Sequence, residues 1–125
     1  YSTPGCKVNY KPTLNEVNLP LDQAIPCGLI VNELVSNVLK YAFVGRKEGD
    51  FFLRVQEVGV KVEIEVADNG VGLPNNFEEK KNDSLGIYLI YALIEQLGGE
   101  IIIESNKQAR EGSSFLIRFD KPNQT

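Results

Sequence analysis

The apolar positions of the chain change period several times, and each change marks an element. Ile30, Leu34 and Val38 recur four apart, with Val31, Val35 and Ala42 beside them, a spacing that predicts a helix running to about Phe43. Asp22 stands where it can cap this helix, and Pro26 falls in a first turn that tolerates it. Val60, Val62, Ile64 and Val66 then alternate with Lys61, Glu63 and Glu65, the period of a strand with one buried face. Phe51 to Glu57 precedes that strand across Gly59, so the two form an antiparallel hairpin. The charged, glycine-bearing turn Gly45 to Asp50 leads into it from the helix. Leu85 to Leu97 is apolar on most sides and stops at Gly98-Gly99, a helix end followed by strands at Ile101 to Ile103 and Phe115 to Phe119. Near the start, Val8 to Val17 alternates imperfectly around Pro12, which has no N–H for a central ladder, so an edge strand is expected there.

This order predicts an α+β sandwich: a mixed, mostly antiparallel sheet covered by helices on one face. No internal boundary interrupts it, and residues 1–125 read as a single domain with short polar ends at Tyr1 to Lys7 and Lys121 to Thr125. Asn75 to Ser84 is polar apart from Phe77 and too long for a turn, so a mobile loop is expected between hairpin and second helix.

Composition narrows the chemistry. The 125 residues contain no His, which excludes Ser/His/Asp catalysis, Cys/His pairs, most zinc sites and histidine general bases within this chain. Acid or base work falls to carboxylates, Lys or Tyr. Cys6 and Cys27 lack the close spacing of metal or redox pairs, which makes a reducing, cytoplasmic setting the expectation. With 13 Lys and Arg against 17 Asp and Glu, the net charge of -4 leaves no basic footprint for nucleic acid or an anionic membrane. The longest apolar run, Leu85 to Ile94, is too short to cross a bilayer. The chain has no Met, begins at Tyr1 and shows no signal-peptide pattern, as expected of a piece of a longer protein.

Three stretches carry candidate chemistry. On the first helix, Glu33, Asn37 and Lys40 sit at i, i+4 and i+7 and share a face away from the apolar stripe. Alone, the two charges are those of a solvated surface. Asn37 is a poor helix former in mid-helix and suits a partner off the helix; Mg²⁺ would be such a partner, since it accepts an amide oxygen and lets nucleotide phosphates fill further positions, and Lys40, one turn along, could then meet phosphate charge. Glu33, one turn before Asn37, is a carboxylate able to orient or deprotonate an attacking hydroxyl, water or imidazole, or to hold a metal-bound water. The second stretch, Asp68-Asn69-Gly70-Val71-Gly72, closes a strand as a turn would. It lacks the third glycine of a dinucleotide fingerprint, and no segment fits a phosphate loop or a calcium loop. A carboxylate there accepts a hydrogen bond from the amine of adenine and leaves the oxygen of guanine unpaired, while Gly70 and Gly72 let the backbone approach the base. The third, Ser84-Leu85-Gly86-Ile87, opens a helix whose free N–H groups suit phosphate. Gly112-Ser113-Ser114-Phe115 by itself reads as a turn.

Taken in order, Asn32-Glu33-Leu34-Val35-Ser36-Asn37-Val38-Leu39-Lys40-Tyr41-Ala42-Phe43, Asp68-Asn69-Gly70-Val71-Gly72-Leu73-Pro74, Ser84-Leu85-Gly86-Ile87 and Gly112-Ser113-Ser114-Phe115 resemble the catalytic, ATP-binding domain of sensor histidine kinases. The likeness covers nearly the whole chain. Ile25 to Ile30, Ile-Pro-Cys-Gly-Leu-Ile, is similar to one branch of that family, within the superfamily of gyrase-type topoisomerases, heat-shock chaperones and mismatch-repair ATPases. The resemblance implies a Bergerat-type fold with about three helices, ATP and Mg²⁺ as ligands, Asn37 as the metal ligand and Lys40 as a phosphate contact. It further implies Tyr41 beside the adenine, Asp68 on the adenine amine, Gly70, Gly72, Gly86 and Ser113 around the nucleotide, Glu33 as the catalytic carboxylate, and Asn75 to Asp83 as the lid. The second glycine box keeps only Gly86, with Asn82 and Ser84 where relatives often have glycines, and Tyr41 stands where they often have His.

The function so implied is donation of the γ-phosphoryl of Mg-ATP to a histidine on a separate phosphotransfer domain of the same protein, then relay to a response regulator. The longer protein is then a homodimer, cytoplasmic or membrane-anchored through other segments. An anti-sigma-factor-like Ser/Thr kinase and a non-catalytic ATP-sensing or docking module are the alternatives. The phosphoacceptor histidine is not in this chain.

Overall fold

Strand alternation and helix periodicity converge on one side of a single sheet. The computed structural model describes residues 2–3, 5–73, 85–105 and 112–121. Its strands are β1 (Ser2–Thr3), β2 (Cys6–Leu14), β3 (Glu48–Val58), β4 (Lys61–Asp68), β5 (Glu100–Ser105) and β6 (Ser113–Asp120). They lie in the order β1-β2-β3-β4-β6-β5. β2 and β3 run parallel and the other neighbours antiparallel, so the sheet is mixed as expected. The parallel pair requires a crossover, supplied by α1 (Leu21–Asn37) and a π-helical turn (Val38–Ala42) that continues it. α2 (Leu85–Leu97) packs beside α1.

The core lies between these helices and the sheet. Ile30 and Leu34 of α1 and Ile87, Ile90 and Ile94 of α2 meet Val62, Ile64 and Val66 of β4 and Phe115, Ile117 and Phe119 of β6. The opposite face of the sheet is polar. There Glu63 accepts hydrogen bonds from Gln56, Arg54 and Arg118 at 3.0–3.4 Å, and these donors, Gln56 foremost, hold its carboxyl below the ordinary value. Both cysteines are free and buried, and burial pushes the Cys27 thiol up to about 11, away from thiolate chemistry.

Several boundaries differ from the sequence expectation, each for a physical reason. Pro20 rather than Asp22 precedes the helix, because its carbonyl already accepts from the N–H groups of Gln23 and Ala24; Asp22 lies in the first turn, where a negative charge suits the helix dipole. Pro26 consequently lies inside α1, beyond its first turn. The regular helix stops at Asn37, and the π turn carries the chain to Ala42, with Val38, Ala42 and Phe43 all buried. Since that turn extends α1 rather than forming a separate helix, the described residues contain two α-helices where about three are expected. Val60 is not in the strand: Gly59 and Val60 form the two-residue hairpin loop, with Gly59 at φ 63, and Val60 is 72% exposed. β2 begins at Cys6, inside the stretch expected to be loose, where Ser2–Thr3 pairs with it. Beyond Lys7 the outer side of β2 has no partner strand among the described residues, and Pro12 sits on that open side. The expected mobile loop and lid, Asn75 to Ser84, lie outside the described residues.

Burial along α1 gives a direct test of this packing. Leu34→Ala, at a fully buried position, should cost about 2–5 kcal/mol of unfolding free energy in urea titration, whereas Leu21→Ala, on the exposed face, should change it by less than about 0.5 kcal/mol.

Candidate functional site

β4 carries its alternation one step beyond its apolar residues. Val62, Ile64 and Val66 face the helices, and the next member of that series is Asp68, whose side chain is thereby delivered to the covered face at the strand end, 4% exposed. Ser113 arrives at the same place by the same rule, in phase with Phe115, Ile117 and Phe119 of β6. Because Ala67 pairs with Ser114, the next step of the antiparallel ladder sets Asp68 beside Ser113, while Phe51 of β3 lies opposite Asp68 on the other side. Among the described residues, Asp68 and Ser113 are the buried polar side chains.

A carboxylate in such surroundings requires donors. Ser113 Oγ donates to Asp68 Oδ2 at 2.8 Å, and the Gly70 N–H donates to Oδ1 at 2.8 Å. Burial nevertheless raises the Asp68 carboxyl above its usual 3.8, outweighing the opposing effects of the Gly70 N–H, the Ser113 hydroxyl and N–H, and the positive charge of Arg46. Two glycines make this closeness possible. A Cβ on Gly70 would collide with the carbonyl of Ala42, and one on Gly112, at φ 77, would collide with the backbone and carboxylate of Asp68.

The loop after Asp68 is tied on both flanks. Asn69 and Asp50 exchange bonds: the Asn69 N–H donates to the Asp50 carbonyl at 3.2 Å, the Asp50 N–H to Asn69 Oδ1 at 2.8 Å, and Asn69 Nδ2 to Asp50 Oδ2 at 3.3 Å. Asp50 also accepts from Asn9 and Lys11, and the Asn9 amide foremost holds its carboxyl below the ordinary range. On the helix side, the Val71 N–H donates to the Ala42 carbonyl at 2.8 Å, and Arg46 reaches the carbonyls of Asn69 at 3.5 Å and Gly70 at 3.3 Å. Gly72 follows at φ 81, and the Leu73 N–H donates to Ser105 Oγ at 2.8 Å.

The residues expected on the first helix are therefore placed at graded distance along the chain from this cluster. Lys40 and Tyr41 lie in the π turn, immediately before the Ala42 carbonyl that holds the loop; both are exposed, Tyr41 by 65%. Glu33 and Asn37, both half-buried, sit one turn apart on α1, and the π turn ends the regular i, i+4, i+7 alignment at Asn37. Among the described residues, the side chains of these four make no hydrogen bond or ion pair with Asp68, Gly70 or Ser113. Lys40 lines an open cleft of about 570 Å³ with Arg46 and Lys47. Gly86 is the second residue of α2, half-buried; the residues just before that helix lie outside the described set. Sequence reasoning did not find Asp50, Asn69 or Arg46 as parts of this cluster. They stand 18, 1 and 22 residues from Asp68 with no periodicity to join them; the antiparallel β3–β4 register sets Asp50 beside Asn69, and the turn that follows the π-helical segment brings Arg46 to the same loop.

Asp68 ties the site to stability. Its raised carboxyl contributes stability that is fully present below the unfolded value and is lost as pH rises through the folded one, so ionised Asp68 weakens the fold. Unfolding measured from about pH 3 to about pH 7 should show Asp68→Asn gaining stability relative to the parent chain as pH rises; a difference independent of pH would contradict the burial argument.

Comparison with known proteins agrees with the fold. The sequence pattern of the family described as histidine kinase-, DNA gyrase B-, and HSP90-like ATPase matches residues 22–123. The chain is 29% identical over 117 residues to blue-light-activated histidine kinase 2 of Erythrobacter litoralis, covering 93% of this chain and 32% of that protein. It is 31% identical over 103 residues to the sensor histidine kinase PdtaS of Mycobacterium tuberculosis, covering 80% of this chain and 20% of that one. It thus spans about a third or less of these relatives. Among solved structures, the histidine kinase domain of the Erythrobacter litoralis EL346 blue-light activated histidine kinase superposes with a TM-score of 0.82 at 26% identity, over 95% of this chain and 53% of that one. The mixed sheet beneath its helices and a match running almost from end to end place this chain in the family of histidine kinase-, DNA gyrase B- and HSP90-like ATPases.

Proposed function

We propose that the domain binds Mg-ATP and, within a longer sensor kinase, delivers the γ-phosphoryl to a histidine on a separate phosphotransfer domain, for relay to a response regulator. The observation that carries this reading is the buried pair of Asp68 and Ser113: a carboxylate placed on the covered face of a sheet, at a cost its own donors do not fully offset, suits a ligand that hydrogen-bonds to it.

The family resemblance supplies the roles, and the positions of the residues support them. Asp68, oriented by Gly70 and Ser113, accepts the exocyclic amine of adenine through lone pairs those donors leave free, while the carbonyl oxygen of guanine would face it unpaired. Tyr41 offers an exposed ring beside the base. Gly70 and Gly72 keep the loop free of side chains on that approach, and Gly86 lies at the α2 start, where N–H groups and the helix dipole suit phosphate oxygens. Lys40 supplies positive charge for the phosphates.

For the metal, the donor set fits: the half-buried amide of Asn37 has no hydrogen-bond partner among the described residues, and one amide oxygen is enough for an ion that keeps waters and takes phosphate oxygens. Held there by Asn37, Mg²⁺ would supply neutralisation of phosphate charge. Glu33, one turn before Asn37, is the carboxylate that orients the attacking imidazole and takes its proton as the nitrogen–phosphorus bond forms and the bond to ADP breaks. The phosphoacceptor comes from outside this chain, which contains no His, and the relatives' greater length leaves room for the domain that bears it and for a dimer.

Calorimetric titration with a non-hydrolysable ATP analogue and its GTP counterpart, with and without Mg²⁺, tests the reading. The parent chain should prefer the adenine analogue. Asp68→Asn should weaken that binding by about tenfold or more and erase most of the base preference, and Asn37→Ala should remove most of the dependence on Mg²⁺. Equal affinity of the folded parent chain for both bases would sink the proposal.

A further inference from the structure

Two successive peptide groups after Asp68 are each held at both ends. In the group between Asn69 and Gly70, the N–H donates to Asp68 Oδ1 at 2.8 Å while the carbonyl accepts from Arg46 Nη1 at 3.5 Å. In the group between Gly70 and Val71, the N–H donates to the Ala42 carbonyl at 2.8 Å while the carbonyl accepts from Arg46 Nη2 at 3.3 Å. A trans peptide is planar with its C=O and N–H pointing opposite ways, so fixing the oxygen fixes the direction of the hydrogen. Without a hold on the oxygens, the first group is the one best able to flip, because Gly70 has no Cβ to resist rotation.

We infer that Arg46 is a positioning residue for base recognition: its planar fork pins the Asn69 and Gly70 carbonyls, and thereby keeps the Gly70 N–H aimed at Asp68 and the carboxylate aimed at the base. The inference rests on the reading that Asp68 receives the adenine amine. Arg46 is itself well placed for the task. Its N–H donates to the Phe43 carbonyl at 2.9 Å, closing a turn through Gly45 at φ 75, and Phe43 is buried against Gly49. The guanidinium thus starts from a bracket anchored in the core directly after the π turn. It joins the helix end that carries Lys40 and Tyr41 to the loop that carries Gly70. The polarised Asn69 carbonyl also strengthens the Gly70 N–H as a donor, and the positive charge of Arg46 favours the ionised form of Asp68. A lysine keeps the charge but has no rigid fork for two carbonyls.

Two variants of the 125-residue chain test this, Arg46→Gln and Arg46→Lys, each followed by amide hydrogen exchange in NMR and by titration with the non-hydrolysable ATP analogue. Both variants should speed exchange at the Gly70 and Val71 amides by about tenfold, leave the amides of Val62 to Val66 protected, and weaken the analogue by about tenfold. Lysine failing to restore either reading assigns the effect to the fork rather than to charge. Wild-type affinity or unchanged Gly70 exchange in either folded variant would overturn the inference, as would a loss of protection spread over the whole sheet with affinity intact. If the parent chain does not take the analogue, the adenine reading falls and this inference with it; if the parent binds and both variants bind equally well, only this inference falls.

Discussion

The hydrogen bonds that Gly70 and Ser113 give to the Asp68 carboxylate allow a negative charge to sit on the covered face of the sheet, and much of the local structure follows from that need. Oδ1 and Oδ2 are each met at 2.8 Å by donors from different segments, one from the loop that follows β4 and one from the start of β6. For both donors to reach the acid, the backbone must pass close on two sides, which is where Gly70 and Gly112 stand. The donors offset only part of the desolvation, and the carboxyl remains above its usual value. The fold therefore carries a local cost at Asp68 that its two donors do not fully offset.

The sandwich makes room for such a feature by dividing its labour between faces. Under the helices, aliphatic and aromatic side chains from α1, α2 and the three central strands supply the burial that drives folding. On the other face, charged side chains of β3, β4, β5 and β6 pair across the strands, with Glu63 shared between Arg54 and Arg118 and Arg118 also reaching Glu100. Asp68 lies at the end of the covered face, beyond the last apolar residue of β4, so it meets the core without interrupting it. The crossover through α1 then sets the helix end against the same loop: Ala42 accepts from Val71, leaving no space for a side chain at Gly70. The π turn that ends at Ala42 is one of the local departures from regular helix that recur at functional sites.

What the chain alone decided was its periods and its punctuation. The helical spacing from Ile30 to Val38, the alternation from Val62 to Val66, the apolar helix ending at Gly98-Gly99 and the Pro12 strand with its open side all persist in the structure, because each is a local preference reinforced by burial on one face. Asp68 was legible as a candidate from its position at a strand end, and Glu33 and Asn37 from their shared helix face. Other matters belonged to tertiary structure alone. Strand register decided that Asp68 and Ser113 meet and that Val60 falls in the loop; packing at the end of α1 exchanged its last regular turn for a π turn. Parallel pairing of β2 with β3 brought Asn9 to Asp50, and through it to Asn69, while Arg46 reached the same loop from the helix end. Such contacts join residues far apart in sequence through geometry that no local period encodes, and so they become visible only once the sheet and the helices have been assembled.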